Sequence, residues 1–224
     1  RLGRAAGLAS QRRRKDPMSD ALVIENLAHA YGDAPVLRGV DLCLARGDDV
    51  VAVSAPRVDD RLAALATDAG VPLCQVDKRL GAEWVPDGLD VILCAHAHLF
   101  VTPEARAKAR LGALGYHPSL LPRHRGRDAV VWAVHMRDQV TGGTAYWLDD
   151  GADTGDIAAQ DWCWVKPGDT AEALWRRELA PMGLRLLSGV LTRLDAGEVP
   201  RTPQDPDMAT WEPAYVAKRL AGSR

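Results

Sequence analysis

The sequence predicts an α/β protein built on a mostly parallel sheet with helices packed on both faces. Short apolar runs alternate with helical patterns from about residue 20 to residue 200, the order of βαβ units. Several runs are continuously apolar rather than alternating, as strands buried on both faces require. The chain has 224 residues, of which 47% are hydrophobic and 26% charged, enough for a sizeable core in one large domain.

Taken in order, Ala21–Glu25 (ALVIE) is a short strand. Gly32-Asp33-Ala34-Pro35 follows, an acidic cap with proline near a helix start. Val36, Val40, Leu42 and Leu44 supply the apolar positions of that helix, and Arg46-Gly47 ends it. Asp49–Ala55 is the second strand and Asp60–Gly70 a helix closed by its glycine. Val71–Val76 and Leu89–Ala95 are further strands. Arg127–Met136 reads as a short helix, and Thr144–Leu148 and Ile157–Val165 as strands joined by a tight acidic loop. Asp169-Thr170-Ala171-Glu172 opens a long helix with a capping-box pattern. Trp175, Leu179, Met182, Leu186 and Val190 recur at helical spacing as its core stripe, and Pro181 should kink or break it. After Gly197 the chain turns Pro-, Asp- and Arg-rich, so residues 201–224 are expected to form an irregular tail.

The charge balance narrows the function classes. Twenty-eight basic and 30 acidic side chains leave a net charge of -2, which gives no electrostatic case for nucleic acid as a partner. The first 17 residues carry Arg1, Arg4, Arg12, Arg13, Arg14 and Lys15 against Asp16 alone. That cluster fits either a nucleic-acid or membrane arm, or, as we read it, an upstream extension before Met18. Cys43, Cys74, Cys94 and Cys163 lie far apart with no CxxC pair, so neither a metal site nor a disulfide framework is expected. This usage fits a reducing cytoplasm. No apolar run approaches the ~20 residues that span a bilayer.

Two segments place ionisable groups after apolar runs: Gly115–Gly126 (GYHPSLLPRHRG) and Leu148–Ile157 (LDDGADTGDI). Ligands of open α/β sheets bind beyond the carboxyl ends of the strands, where such loops meet. A histidine oriented by a carboxylate from a distant loop can transfer protons near neutral pH. On spacing alone, a structural histidine and a solvated acidic turn are the commoner explanations. Trp147, Trp162 and Trp164 could stack a flat ring, but packing is the commoner fate of tryptophan. Arg123, His124 and Arg125 could hold an anionic group of a substrate, or form an exposed basic loop.

The wording of these segments adds to that reading. HPSLLPxxRG from His117 to Gly126, then DxGxDTGDI from Asp149 to Ile157, resembles the folate-dependent formyltransferases of the glycinamide ribonucleotide, methionyl-tRNA and amino-sugar types. Thr141-Gly142-Gly143-Thr144 resembles that family's TG-x-T strand start, and the likeness runs from roughly Leu22 to Gln204. It implies a Rossmann-like catalytic domain, here residues 18–200, that moves a formyl group from 10-formyltetrahydrofolate to a primary amine. His117 would then stabilise the oxyanion and assist proton transfer, and Asp153 would orient and charge-balance it. Leu99, Phe100 and Val101, within Ala95–Pro103, would line the pterin pocket. Backbone groups of Asp149, Asp150, Gly151, Ala152 and Asp153 would read the pterin edge. Pro118, Ser119, Arg125 and Gly126 would contact the acceptor, expected to be a small-molecule amine because the resemblance gives this length no room for a tRNA domain. No metal is implied, and the oligomeric state is open.

One position departs from the resemblance. The family usually places asparagine two residues before the histidine, where this chain has Gly115. Losing one oxyanion donor typically costs on the order of 100- to 1000-fold in rate. Another donor (His98, Ser119 or a backbone N–H) could replace the amide, the reaction could differ, for instance by giving the formyl group to water, or the domain could bind folate without chemistry. Ala21–Gly47 also looks like the opening of an ABC-type ATPase, but Ser54-Ala55-Pro56-Arg57-Val58-Asp59 stands where its phosphate loop would be. No GxxxxGK[ST] and no GxGxxG occurs in the chain.

Overall fold

The computed structural model describes residues 20–25, 43, 46–55, 66–76, 78–95 and 99–215. Most of the first expected helix, most of the Asp60–Gly70 helix, residues 1–17 and His98 lie outside them; Cys43, Arg46 and Ala66–Asp68 are helical.

The backbone is a seven-stranded sheet in the order β3-β2-β1-β5-β7-β8-β9. Its strands are β1 (Asp20–Glu25), β2 (Asp49–Ala55), β3 (Leu73–Gln75), β5 (Val91–Ala95), β7 (Ala113–His117), β8 (Val140–Trp147) and β9 (Ile157–Trp164). A separate two-stranded ribbon pairs β4 (Arg79–Leu80) with β6 (Phe100–Val101). The pairs β2–β3, β1–β2, β1–β5 and β5–β7 are parallel, whereas β7–β8 and β8–β9 are antiparallel. β7 therefore sits where the parallel half meets the antiparallel half. Its carboxyl end, His117, lies at the edge where the parallel strands open toward ligands.

β5 shows why this sheet forms from continuous apolar runs. Val91, Leu93 and Ala95 join the core on one face, and Ile92 and Cys94 join the core on the other, with all five buried. The first core is closed by the long C-terminal helix through Met182, Leu187, Val190, Leu191 and Leu194. The second is closed by the ribbon and by α1 (Pro103–Arg106), with Leu80, Val101 and Ala105 buried. The helix α2 (Ala129–His135) occupies the centre of the expected Arg127–Met136 span.

The long helix is disturbed just before Pro181, by a widened turn rather than a break. The chain forms α3 (Ala171–Leu174), a π turn (Trp175–Leu179) and α4 (Ala180–Asp195) without a break. The Ala180 N–H bonds back to the Trp175 carbonyl, five residues away, so the proline enters α4 after a widened turn. That turn relieves the clash a proline ring makes with the carbonyl four residues earlier. Thr170 is the cap, its Oγ1 accepting from the Ala173 N–H at 3.1 Å. Trp175, Leu179, Met182 and Val190 are buried as the stripe requires.

The tryptophans divide. Trp147 is buried, and its Nε1–H donates to the Pro200 carbonyl at 2.8 Å. Trp162 and Trp164 instead point outward from the edge strand, 53% and 58% exposed, with Cys163 inward between them. Packing does not claim them, because the strand's period of two puts both on the solvent side. Residues 201–215 carry little regular structure but are pinned down. Thr202 bridges Ile157, Trp211 bridges Arg125, and the Trp132 Nε1–H donates to the Pro213 carbonyl at 2.8 Å.

Candidate active site

His117 ends β7 and is only 7% exposed. Its Nε2 lies 2.7 Å from the His124 carbonyl oxygen. A carbonyl only accepts, so Nε2 carries the proton, and Nδ1 keeps the lone pair in the neutral ring. Nδ1 stands 3.6 Å from Asp153 Oδ2. The structure thus brings together the two residues singled out for catalysis, from loops 36 positions apart in the sequence.

Asp153 is held from three sides. Its Oδ2 accepts from the Gly126 N–H at 2.7 Å and its Oδ1 from the Tyr146 hydroxyl at 2.7 Å. Its own carbonyl accepts from Gln204 Nε2 at 3.0 Å, as does the Gly155 carbonyl at 2.7 Å. These bonds fix a backbone with φ of 56°, a left-handed conformation uncommon outside glycine. His124 (φ 54°) and Asp128 (φ 63°) share that conformation in the facing loop. Such residues persist where the surroundings over-determine them, and they cluster at functional sites.

These groups border a cavity of about 850 Å³. One end is walled by Cys94, Leu99, Phe100, Val101 and Leu148, with the backbone of Asp149, Asp150, Gly151 and Ala152 along its side. The other end runs past Pro118, Gly126 and Arg127 to Trp211 and Glu212. Apolar walls with a few placed polar groups are what a flat heteroaromatic ligand needs. Asp149 folds its loop tightly, Oδ1 accepting from the Gly151 N–H at 3.1 Å and the Thr154 hydroxyl at 2.6 Å. Arg106, unmarked by the sequence reading, also lines the cavity; it donates to the Val101 carbonyl at 2.8 Å and pairs with Asp150. Among the described residues, no group of three or more His, Cys, Asp or Glu is placed to hold a metal ion, and no helix is long and apolar enough to cross a membrane.

Several expectations are corrected. Ser119, expected at the acceptor, is fully buried and donates its hydroxyl to the Arg123 carbonyl at 2.6 Å. Arg125 is spent on Gln204, donating from Nε and Nη2 to Oε1 at 3.1 and 2.7 Å. Arg123 pairs with Asp138 at 3.3 Å. His124 is buried between two carboxylates: its Nε2 donates to Asp138 Oδ2 at 2.7 Å, and its Nδ1 lies 3.1 Å from Glu212 Oε2. His124 and Arg125 are braced inward, whereas Arg123 pairs with Asp138 at the surface. Tyr146, Gln204 and Glu212 are the supporting residues the sequence reading missed, and His124, read as a possible anion contact, joins them. Tyr146 carries a legible signal, lying one residue before Trp147 and opposite Gly115 in the sheet register.

The sequence profile described as Formyl transferase matches residues 43–188 of this chain. The chain belongs to the formyl transferase family. It is 36% identical over 182 residues to the mitochondrial 10-formyltetrahydrofolate dehydrogenase of Mus musculus, a match covering 75% of this chain and 20% of that protein. It therefore spans about a fifth of the length of the curated relatives it matches first. Among solved structures, glycinamide ribonucleotide transformylase 1 from Symbiobacterium toebii superposes with a TM-score of 0.67 at 22% identity, over 82% of this chain and 90% of that one. An N-formyltransferase from Helicobacter canadensis, solved with folinic acid and dTDP-3-aminofucose, gives 0.68 at 17% identity, over 85% and 70%. Both share the family's Rossmann-like fold. The matched span contains His117, Asp153, Gly115 and Tyr146, so the departure at Gly115 lies inside the family domain.

Proposed function

We propose that this domain binds 10-formyltetrahydrofolate in the 850 Å³ cavity and passes its formyl group to the primary amine of a small molecule. The observation that carries the reading is the His117–Asp153 pair lining that cavity. Leu99, Val101, Cys94 and Leu148 supply walls for a pterin, and backbone groups of Asp149 to Ala152 supply its edge contacts. The donor contributes an activated N10–formyl bond. The new amide bond forms at the formyl carbon as the N10–carbon bond breaks, and one proton passes from the amine to N10.

His117 Nδ1 is the atom placed to take that proton, since Nε2–H is committed to the His124 carbonyl. Asp153 puts a negative charge 3.6 Å away, which balances the imidazolium while the proton is held. When protonated, Nδ1–H can also donate to the developing oxyanion. The Helicobacter neighbour, solved with folinic acid and an amino sugar nucleotide, supports a small amine as acceptor.

The competing reading gives the formyl group to water and releases formate. It is favoured by the resemblance to 10-formyltetrahydrofolate dehydrogenases over three quarters of the chain, together with the glycine at position 115. The test is donor turnover with and without a panel of primary amines. Amine-dependent loss of the formyl donor establishes transfer, and equal loss without amine establishes hydrolysis. Folate binding without any turnover overturns both.

A further inference from the structure

Gly115 and Tyr146 face each other across the β7–β8 pairing, and both line the cavity. A Cβ added at position 115 would come 2.7 Å from Leu148 Cδ1 and 3.1 Å from Tyr146 Cε1. An amide-bearing side chain extends further still, into the volume the phenol ring occupies. The ring cannot step aside freely, because its hydroxyl donates to Asp153 Oδ1 at 2.7 Å and its face meets the His117 ring edge-on at 6.5 Å. Burial, and then the nearby Asp153 charge, hold the phenol well above its ordinary ionisation range, so it remains a donor at any working pH.

We propose that Tyr146 is the positioning residue that supports Asp153 in this site, and that Gly115 is glycine because Tyr146 and Leu148 together fill its side-chain space. The proposal rests on the reading of the cavity given above. The phenol has one hydrogen, and it is spent on Asp153. Tyr146 therefore does not substitute for the missing amide at the formyl oxygen; it fixes the carboxylate that charge-balances His117. The two positions form one alternative arrangement: a small residue at 115 with a hydroxyl anchoring Asp153, in place of a polar residue at 115. Restoring asparagine at 115 alone then displaces the ring and loosens Asp153.

The test compares Tyr146→Phe, Gly115→Asn and the double variant Gly115→Asn with Tyr146→Ala. Readouts are kcat and KM for 10-formyltetrahydrofolate, the Kd of folinic acid, and Tm. A lost hydrogen bond to a charged group should lower kcat roughly 10- to 100-fold in Tyr146→Phe, with the folinic acid Kd changed less than about threefold. Gly115→Asn should also lower kcat, and its penalty should shrink when Tyr146 is truncated. Unchanged kcat in Tyr146→Phe, or faster turnover in Gly115→Asn with Tyr146 intact, overturns the proposal. So does a Tyr146→Phe variant that loses Tm and folate affinity but not kcat. If the wild-type protein turns nothing over, the catalytic reading itself fails. The Tyr146–Asp153 link is then decided by unfolding of Tyr146→Phe, Asp153→Asn and the pair: non-additive losses uphold it and additive ones overturn it.

Discussion

His117 donates Nε2–H to the His124 carbonyl oxygen at 2.7 Å, and this bond decides which ring nitrogen does chemistry. With Nε2 occupied, Nδ1 faces Asp153 and the cavity. His117→Ala should lower turnover roughly 100- to 10,000-fold, the usual contribution of a positioned acid–base group. It also strands a buried carbonyl, which costs about 1–3 kcal/mol. Steady-state kinetics beside a thermal melt separate the two effects. Wild-type turnover in this variant would remove His117 from the chemistry.

The carbonyl that holds His117 is itself held by a clamp. His124 keeps its left-handed backbone because its ring is fixed between Asp138 and Glu212 and its N–H donates to Thr210 Oγ1 at 2.8 Å. His124→Ala leaves two carboxylates facing a buried gap. Leaving buried polar partners unpaired costs about 1–3 kcal/mol, more where they are charged. Urea unfolding should show that loss. Adding Glu212→Gln to His124→Ala should recover part of it by removing one unbalanced charge, whereas strictly additive losses would mean the clamp is not coupled.

How much of this was legible depends on the range of each interaction. β5 and β2 could be read because their apolar runs are set by burial on both faces, and the Thr170 cap because it is local. The His117–Asp153 pairing followed from two motif-bearing loops. The bracing residues were illegible for a different reason. Gln204 acts on Asp153 across 51 positions and Glu212 on His124 across 88, in a stretch with no periodic pattern to mark it. Ser119 and Arg125 misled because a polar residue beside a reactive histidine looks like a ligand contact until its inward partner is seen. Pro181 did signal an irregularity, which the structure takes as one widened turn just before it.

The Asp153 loop turns against Trp147 through Gly155. A Cβ at Gly155 would fall 1.7 Å from the Trp147 carbonyl oxygen, and backbone does not yield there. Gly155→Ala should therefore push the loop off β8, breaking the Gln204 bonds to the Asp153 and Gly155 carbonyls. The expected result is a fall in kcat and in folate affinity together, unlike the Tyr146→Phe pattern. Parallel titrations with folinic acid distinguish the two.

Alkaline behaviour should be governed by Cys94 and Tyr146. Burial pushes the Cys94 thiol from 9.0 up to about 12 and raises the Tyr146 phenol well above its usual range. Above pH 9 the unfolded chain releases the thiol proton while the folded chain keeps it. The native state then binds more protons, so stability falls as pH rises, by up to about 1.4 kcal/mol per unit until the folded thiol itself titrates. Chemical denaturation between pH 8 and 11 should show this slope, and Cys94→Ala should make it shallower without abolishing it, because Tyr146, Tyr116 and Cys163 are raised as well. The same burial sets reactivity. Cys74, only partly buried, should alkylate first with iodoacetamide at pH 8, while Cys94 and Cys163, the latter raised to about 11, stay protected in the native protein. Mass spectrometric mapping of the labelled sites checks the order, and early labelling of Cys94 would mean that the cavity wall it forms opens on the timescale of the reaction.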